Sequence, residues 1–108
     1  METADFSITY ILALEDDADT VEDIDAIIRA PGGKSWTATL MTPRKIVEVM
    51  ARCSTTGEYA GGLYVHIPDL MIVREGGLDA MTRALVDLFA KFGMDTDVLP
   101  SFHDEEDD

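Results

Sequence analysis

Hydrophobic and polar positions alternate along Phe6-Ser7-Ile8-Thr9-Tyr10, and the run then stays apolar through Leu14, the pattern of a strand entering a sheet covered on both faces. The acidic run Glu15-Asp16-Asp17-Ala18-Asp19 follows. Beyond it Val21, Ile24, Ile27 and Ile28 recur at helical spacing, which predicts a helix over residues 20–29 with one buried stripe. Asp19 or Thr20 is its expected N-cap, with Glu22 or Asp23 in the capping-box position, and Ala30-Pro31-Gly32-Gly33 ends it. Trp36-Thr37-Ala38-Thr39-Leu40-Met41 alternates again and predicts a second strand with Trp36, Ala38 and Leu40 on one face. Thr42-Pro43 then predicts a helix start. The threonine hydroxyl caps a free amide, and proline at the first helical position lacks only a donor that would be unpaired anyway. Ile46, Val49, Met50 and Cys53 form this helix's stripe, and Gly57 lies just past its end.

Residues 63–67 and 70–74 flank Pro68-Asp69 and read as a hairpin around that turn or as one strand bent at the proline; the hairpin is the expectation. Leu78, Met81, Leu85, Leu88 and Phe92 alternate spacings of three and four, with Ala84 and Phe89 widening the stripe, and so predict a third helix. Asp79 and Lys91 sit at the ends its dipole prefers, and Gly93 is placed to stop it. Val98-Leu99-Pro100-Ser101-Phe102 has apolar residues with which to pack back, whereas residues 103–108 have nothing to bury and are expected to be a mobile acidic tail. The expectation is one α/β (α+β) domain over residues 1–102 with element order β-α-β-α-β-β-α. Three helices cover a sheet of three to four strands, and a right-handed parallel crossover joins the first two strands.

Composition fits one ordinary core: of 108 residues 46% are hydrophobic and 28% charged, too apolar for a disordered acidic chain. No apolar run approaches the roughly 20 residues that cross a bilayer. Met1-Glu2 and Asp5 stand where a secretory signal would carry a basic region and an apolar run, and the single cysteine, Cys53, forms no internal disulfide; a cytoplasmic location is expected. The net charge of −14 is unevenly spread. Residues 1–30 hold nine acids and one base, residues 31–75 four acids and five bases, and residues 76–108 nine acids and two bases. Such a field repels nucleic-acid phosphates and anionic lipid and steers the molecule toward basic surfaces, although solubility alone is a sufficient reason for charge.

Candidate chemistry is sparse. Asp17-Ala18-Asp19 starts like an EF-hand loop, but Glu22 stands where glycine is needed and Ile28 where a bidentate glutamate is needed. His66 lies in an apolar stretch and His103 in the acidic tail, so the two make no metal set. Cys53 falls on a buried stripe, where a thiol behaves as a small hydrophobe, and no serine has a nucleophile-elbow context. Gly32-Gly33, Gly61-Gly62 and Gly76-Gly77 read as turns, although Gly33-Lys34-Ser35 superficially echoes a phosphate loop. Tyr10, Trp36, Tyr64, Phe89 and Phe92 are expected on core faces without the cations a nucleic-acid stacking channel needs. No catalytic residue, metal or cofactor is assigned.

The stretch from Tyr64 to Phe102, with Tyr64-Val65-His66-Ile67-Pro68-Asp69-Leu70-Met71-Ile72-Val73-Arg74 followed by an amphipathic helix and a short tail, resembles stretches of small bacterial immunity proteins. The resemblance implies a bacterial cytoplasmic protein that neutralises a toxin or effector domain made by the same cell. The expected partner is a basic protein rather than nucleic acid or membrane. Glu15, Asp16, Asp17, Asp19, Glu22, Asp23 and Asp25, the densest acidic patch, are the residues expected to bind it. Alternatives are a nucleic-acid mimic that inhibits a DNA- or RNA-binding protein, a small acid-base or divalent-metal enzyme using Asp69 or His66, and a homodimer joined through strand edges or the third helix.

Overall fold

Ile24, Ala26 and Ile28 stand on one side of an extended backbone, and this period-two alternation prevails over the helical spacing of the same segment. In a computed structural model of the chain, which describes residues 6–92, the order is β1 (Ser7–Ile11), β2 (Asp23–Arg29), β3 (Ser35–Met41), α1 (Pro43–Thr56), α2 (Glu58–Gly62), β4 (Leu70–Ile72) and α3 (Leu78–Phe92). The expected α+β class therefore holds, with a four-stranded mixed sheet and three helices, but the element order is β-β-β-α-α-β-α.

The helix predicted over residues 20–29 is the correction with the largest consequence. Ile24 and Ile28, four apart, share a face in either period, whereas Ile27 joins them only in a helix. Tertiary pairing decides between the two periods, because Ile28 stands opposite both Ile8 of β1 and Trp36 of β3. A helix there would remove the strand that both neighbours pair with. Strands β1, β2 and β3 run antiparallel in that spatial order, so no parallel crossover joins the first two strands. The parallel pair is β3 with β4, linked through α1 and α2.

Helix α1 follows its expected logic. Thr42 is extended, its hydroxyl accepts from the Lys45 amide, proline occupies the first turn, and Gly57 closes the helix in the left-handed region. Val49 and Cys53 are buried on its inner stripe. The predicted hairpin does not form: of its two arms only residues 70–72 are strand, and these pair with β3. The Pro68-Asp69 turn itself is present, closed by the Leu70 amide on the Ile67 carbonyl. Tyr64, expected in the core, is exposed and meets Tyr59 edge-on.

Helix α3 lies on the face of the sheet that carries Ile8, Ile24, Ala26, Ile28, Trp36, Ala38 and Leu40, and buries Met81, Leu85 and Phe89 against it. Phe89 packs on Phe6 and Trp36, with ring centroids 5.3 and 5.1 Å apart. Tyr10 and Thr82 share a hydrogen bond of 2.7 Å at the other end of the helix. Phe92, expected on the stripe, is exposed. The expected stop at Gly93, the packing of residues 98–102 and the tail at 103–108 lie outside the described residues.

Ile28→Ala is expected to cost roughly 2–5 kcal/mol, as for other buried large-to-small changes, because Ile28 is fully enclosed. Ile27→Ala, on the opposite and half-open face, is expected to cost about 1 kcal/mol. Denaturant unfolding of both variants measures the contrast, and equal costs contradict the strand.

Candidate functional site

The acidic run between β1 and β2 is built into turns by its own side chains. The Asp16 carboxylate accepts from the Ala13 amide at 2.9 Å, and the Asp17 carboxylate accepts from the Asp19 amide at 2.8 Å. The Asp17 carbonyl accepts from both Thr20 and Val21. The turn before α3 then clamps this loop from outside. The Gly77 amide donates to the Val21 carbonyl at 2.7 Å and the Leu78 amide to the Ala18 carbonyl at 2.8 Å. A Cβ on Gly77 would lie 2.5 Å from the Asp19 carbonyl oxygen, and Gly77 has φ +97°, so only glycine suits this contact. Gly77→Ala is expected to lose roughly 2–4 kcal/mol through strain and overlap. It should also raise amide exchange over residues 15–21 above the rest of the protein. Wild-type stability and exchange in this variant would contradict the clamp.

Glu22 closes the loop onto α1. Its carboxylate accepts from the Thr42 hydroxyl at 2.5 Å and from Arg44 Nε at 3.1 Å, and forms an ion pair with the Arg44 guanidinium. The Thr42 hydroxyl thus uses its proton on Glu22 and a lone pair on the Lys45 amide, tying the entry of β2 to the first turn of α1. The Arg44 and Thr42 hydrogen bonds hold the Glu22 carboxyl well below its usual range, at about 2. Asp23 is shifted the other way: burial raises its carboxyl, against the pull of Lys45.

The seven carboxylates named from the sequence do not form one face. Glu15, Asp16, Asp17, Glu22 and Asp23 line an open groove of about 280 Å³ with Glu48 and Lys45. Six carboxylates there face a single lysine. Asp19 lines a neighbouring cavity of about 490 Å³ in which Arg44 and Arg74 balance it and Glu22. Asp25 stands apart, on the sheet face opposite α3, where it meets the Thr39 hydroxyl at 2.9 Å. Glu48 and Lys45 were not legible as members of the patch. The signal for them was indirect: once residues 23–29 are a strand paired with β3, the start of α1 must lie beside Glu22, as the Thr42 amide on the Glu22 carbonyl records.

His66 is exposed on an irregular segment, and the hairpin on which Asp69 or His66 was expected to act is absent. Cys53 is buried. Among the described residues no three His, Cys, Asp or Glu side chains are placed to hold a metal, and no helix is long and apolar enough to cross a membrane. Comparison with protein-family models, with curated proteins and with solved structures finds no match for this chain.

The two shifted carboxyls make stability depend on pH in opposite senses. Glu22 is more acidic folded than unfolded, so its stabilisation is complete above its ordinary value of 4.5 and fades as the pH falls toward about 2. Asp23 is less acidic folded, so it opposes folding at neutral pH and ceases to as it takes up its proton on acidification. Carbon-detected titration should find Glu22 near 2 and Asp23 above its model-peptide value of 3.8. Arg44→Gln should return Glu22 toward the ordinary range; an unchanged Glu22 would contradict the ion pair.

Proposed function

We propose that the protein is a binding module for a basic protein and acts as an immunity or inhibitor protein does, covering the cationic site of a toxin or effector domain in a bacterial cytoplasm. The observation that supports this most is the groove in which six carboxylates surround Lys45, four of them on the loop clamped by its own turns and by Gly77, with Asp23 on β2 and Glu48 on α1. Exposed ion pairs are weak singly, each worth about 0–1 kcal/mol, so charge of this kind acts collectively. A loop already held in place has little conformational entropy left to lose when a partner seats on it. The net charge of −14 adds long-range steering of a cationic partner. Glu22 is not counted as a contact, because Arg44 and Thr42 occupy it. Glu15, Asp23 and Glu48 have acceptor capacity to spare.

Affinity capture from the native host at low and high salt tests the reading. A basic protein should bind at about 0.05 M salt and leave at about 0.5 M. The combined Glu15→Gln, Asp23→Asn and Glu48→Gln variant should bind it about tenfold or more weakly, with a shallower salt dependence. Unchanged affinity and salt dependence in that variant, or capture of an acidic protein only, would overturn the proposal.

A further inference from the structure

On the sheet face opposite α3, Thr9, Ile11, Asp25 and Arg29 are exposed and Ile27, Thr37 and Thr39 half-buried, while Met41 at the β3 end is buried. Along this face the strand registers place Ile11, Asp25 and Thr39 in one row across β1, β2 and β3, with Thr9, Ile27 and Thr37 in the next. Ile11 is 58% exposed although it is a large apolar side chain on a regular strand. Between the rows lies a groove of about 300 Å³ lined by Ile11, Asp25, Ile27, Thr37, Thr39 and Asp69. Asp69 reaches it from the turn before β4, held there by its carbonyl, which accepts from the Thr39 amide at 2.9 Å.

The groove has a surplus of acceptors. The Thr39 hydroxyl lies 2.9 Å from an Asp25 oxygen and 3.0 Å from an Asp69 oxygen. It has one proton, so it donates to one carboxylate at a time and leaves the other in need of a donor. The two oxygens are no more than about 6 Å apart, since both touch the same atom. That span suits a guanidinium, which presents five N–H donors in a planar fork, and a cation between two carboxylates also relieves their repulsion. Ile11 and Ile27 beside them offer the apolar surface on which an arginine stem lies. Arg29 is on the same face but four residues along the strand, its backbone roughly 13 Å from that of Asp25, and it does not line the groove.

We infer that this groove receives an arginine side chain from the protein's partner, with the guanidinium between Asp25 and Asp69 and the stem on Ile11 and Ile27. The inference rests on the reading of the protein as a module for a basic partner, and adds a second, more specific contact to it. A second copy of the chain is disfavoured as the occupant, because a protein of net charge −14 repels itself.

The test uses n-butylguanidinium as the arginine stand-in, titrated into the isotope-labelled full chain and followed by NMR, with n-butanol and guanidinium as controls. Butylguanidinium should saturate at millimolar concentration, shifting the Ile11 and Ile27 methyls and the Asp25 and Asp69 carboxyl carbons together. Each control should bind more weakly, and the Asp25→Asn, Asp69→Asn double variant should bind the probe about tenfold or more weakly. Shifts confined to residues 15–19, or an unaltered affinity in the double variant, would overturn the inference. So would contacts from residues 93–108 onto Ile27, or a dimer in sedimentation that Arg29→Ala dissolves, since each gives the face another occupant. If the probe misses the groove while a basic protein is still captured through the acidic loop, this inference alone falls. If the probe docks but no basic protein is captured, the groove chemistry stands and the functional reading falls.

Discussion

The alternation of Asp23-Ile24-Asp25-Ala26-Ile27-Ile28-Arg29 down the middle of the sheet is the constraint on which the rest of this molecule depends. A strand sends successive side chains to opposite faces, so burying Ile24, Ala26 and Ile28 under α3 obliges Asp23, Asp25, Ile27 and Arg29 to stand on the other side. No single-residue slip of register is tolerable, because it would turn Asp23, Asp25 and Arg29 toward the core under α3, where an unpaired charge has no compensation. The hydrophobic core and the acidic surface are therefore two consequences of one geometric rule. The same register sets the row Ile11, Asp25, Thr39 and brings the first turn of α1 against Glu22.

Around that strand the charges are sorted by what each can be attached to. Asp16 and Asp17 are spent on the turns of their own loop, Glu22 on the junction with α1, and Asp25 shares the Thr39 hydroxyl with Asp69. Glu15, Asp23 and Glu48 line the groove, Glu48 with Lys45 at 3.7 Å. The close approach of Gly77 to Asp19 matters for this reason: without it a loop carrying so many like charges would relax outward and spread them. Local backbone packing thus maintains a concentration of charge that electrostatics alone opposes.

Much of the fold was legible in the residues. Thr42-Pro43 and Gly57 bracket α1 by chemistry that acts within a few residues, and the stripe of α3 has a period no strand can imitate. What was not legible needed partners distant in sequence. Ile24 and Ile28 satisfy both periods, and pairing with Ile8 and Trp36 selects the strand, which leaves Ile27 on the other face. The apolar residues of segment 63–67 look like a strand arm, yet the segment is irregular, and β4 at the sheet edge is ordered by its parallel pairing with β3 instead. The acidic patch was visible as composition, but its division into a groove, a balanced cavity and a sheet-face site depends on where α1 and the β4 turn come to lie.

Residues 23–29 form an interior strand of the sheet, and cross-strand proton contacts in solution are the measurement that decides it. Close contacts are expected from Asp25 to Ile11 and to Thr39, and from Ile27 to Thr9 and to Thr37, on the two sides of the strand. Contacts between residues three and four apart within 20–29, with none across to β1 or β3, would restore the helix and contradict the fold and both sites built on it.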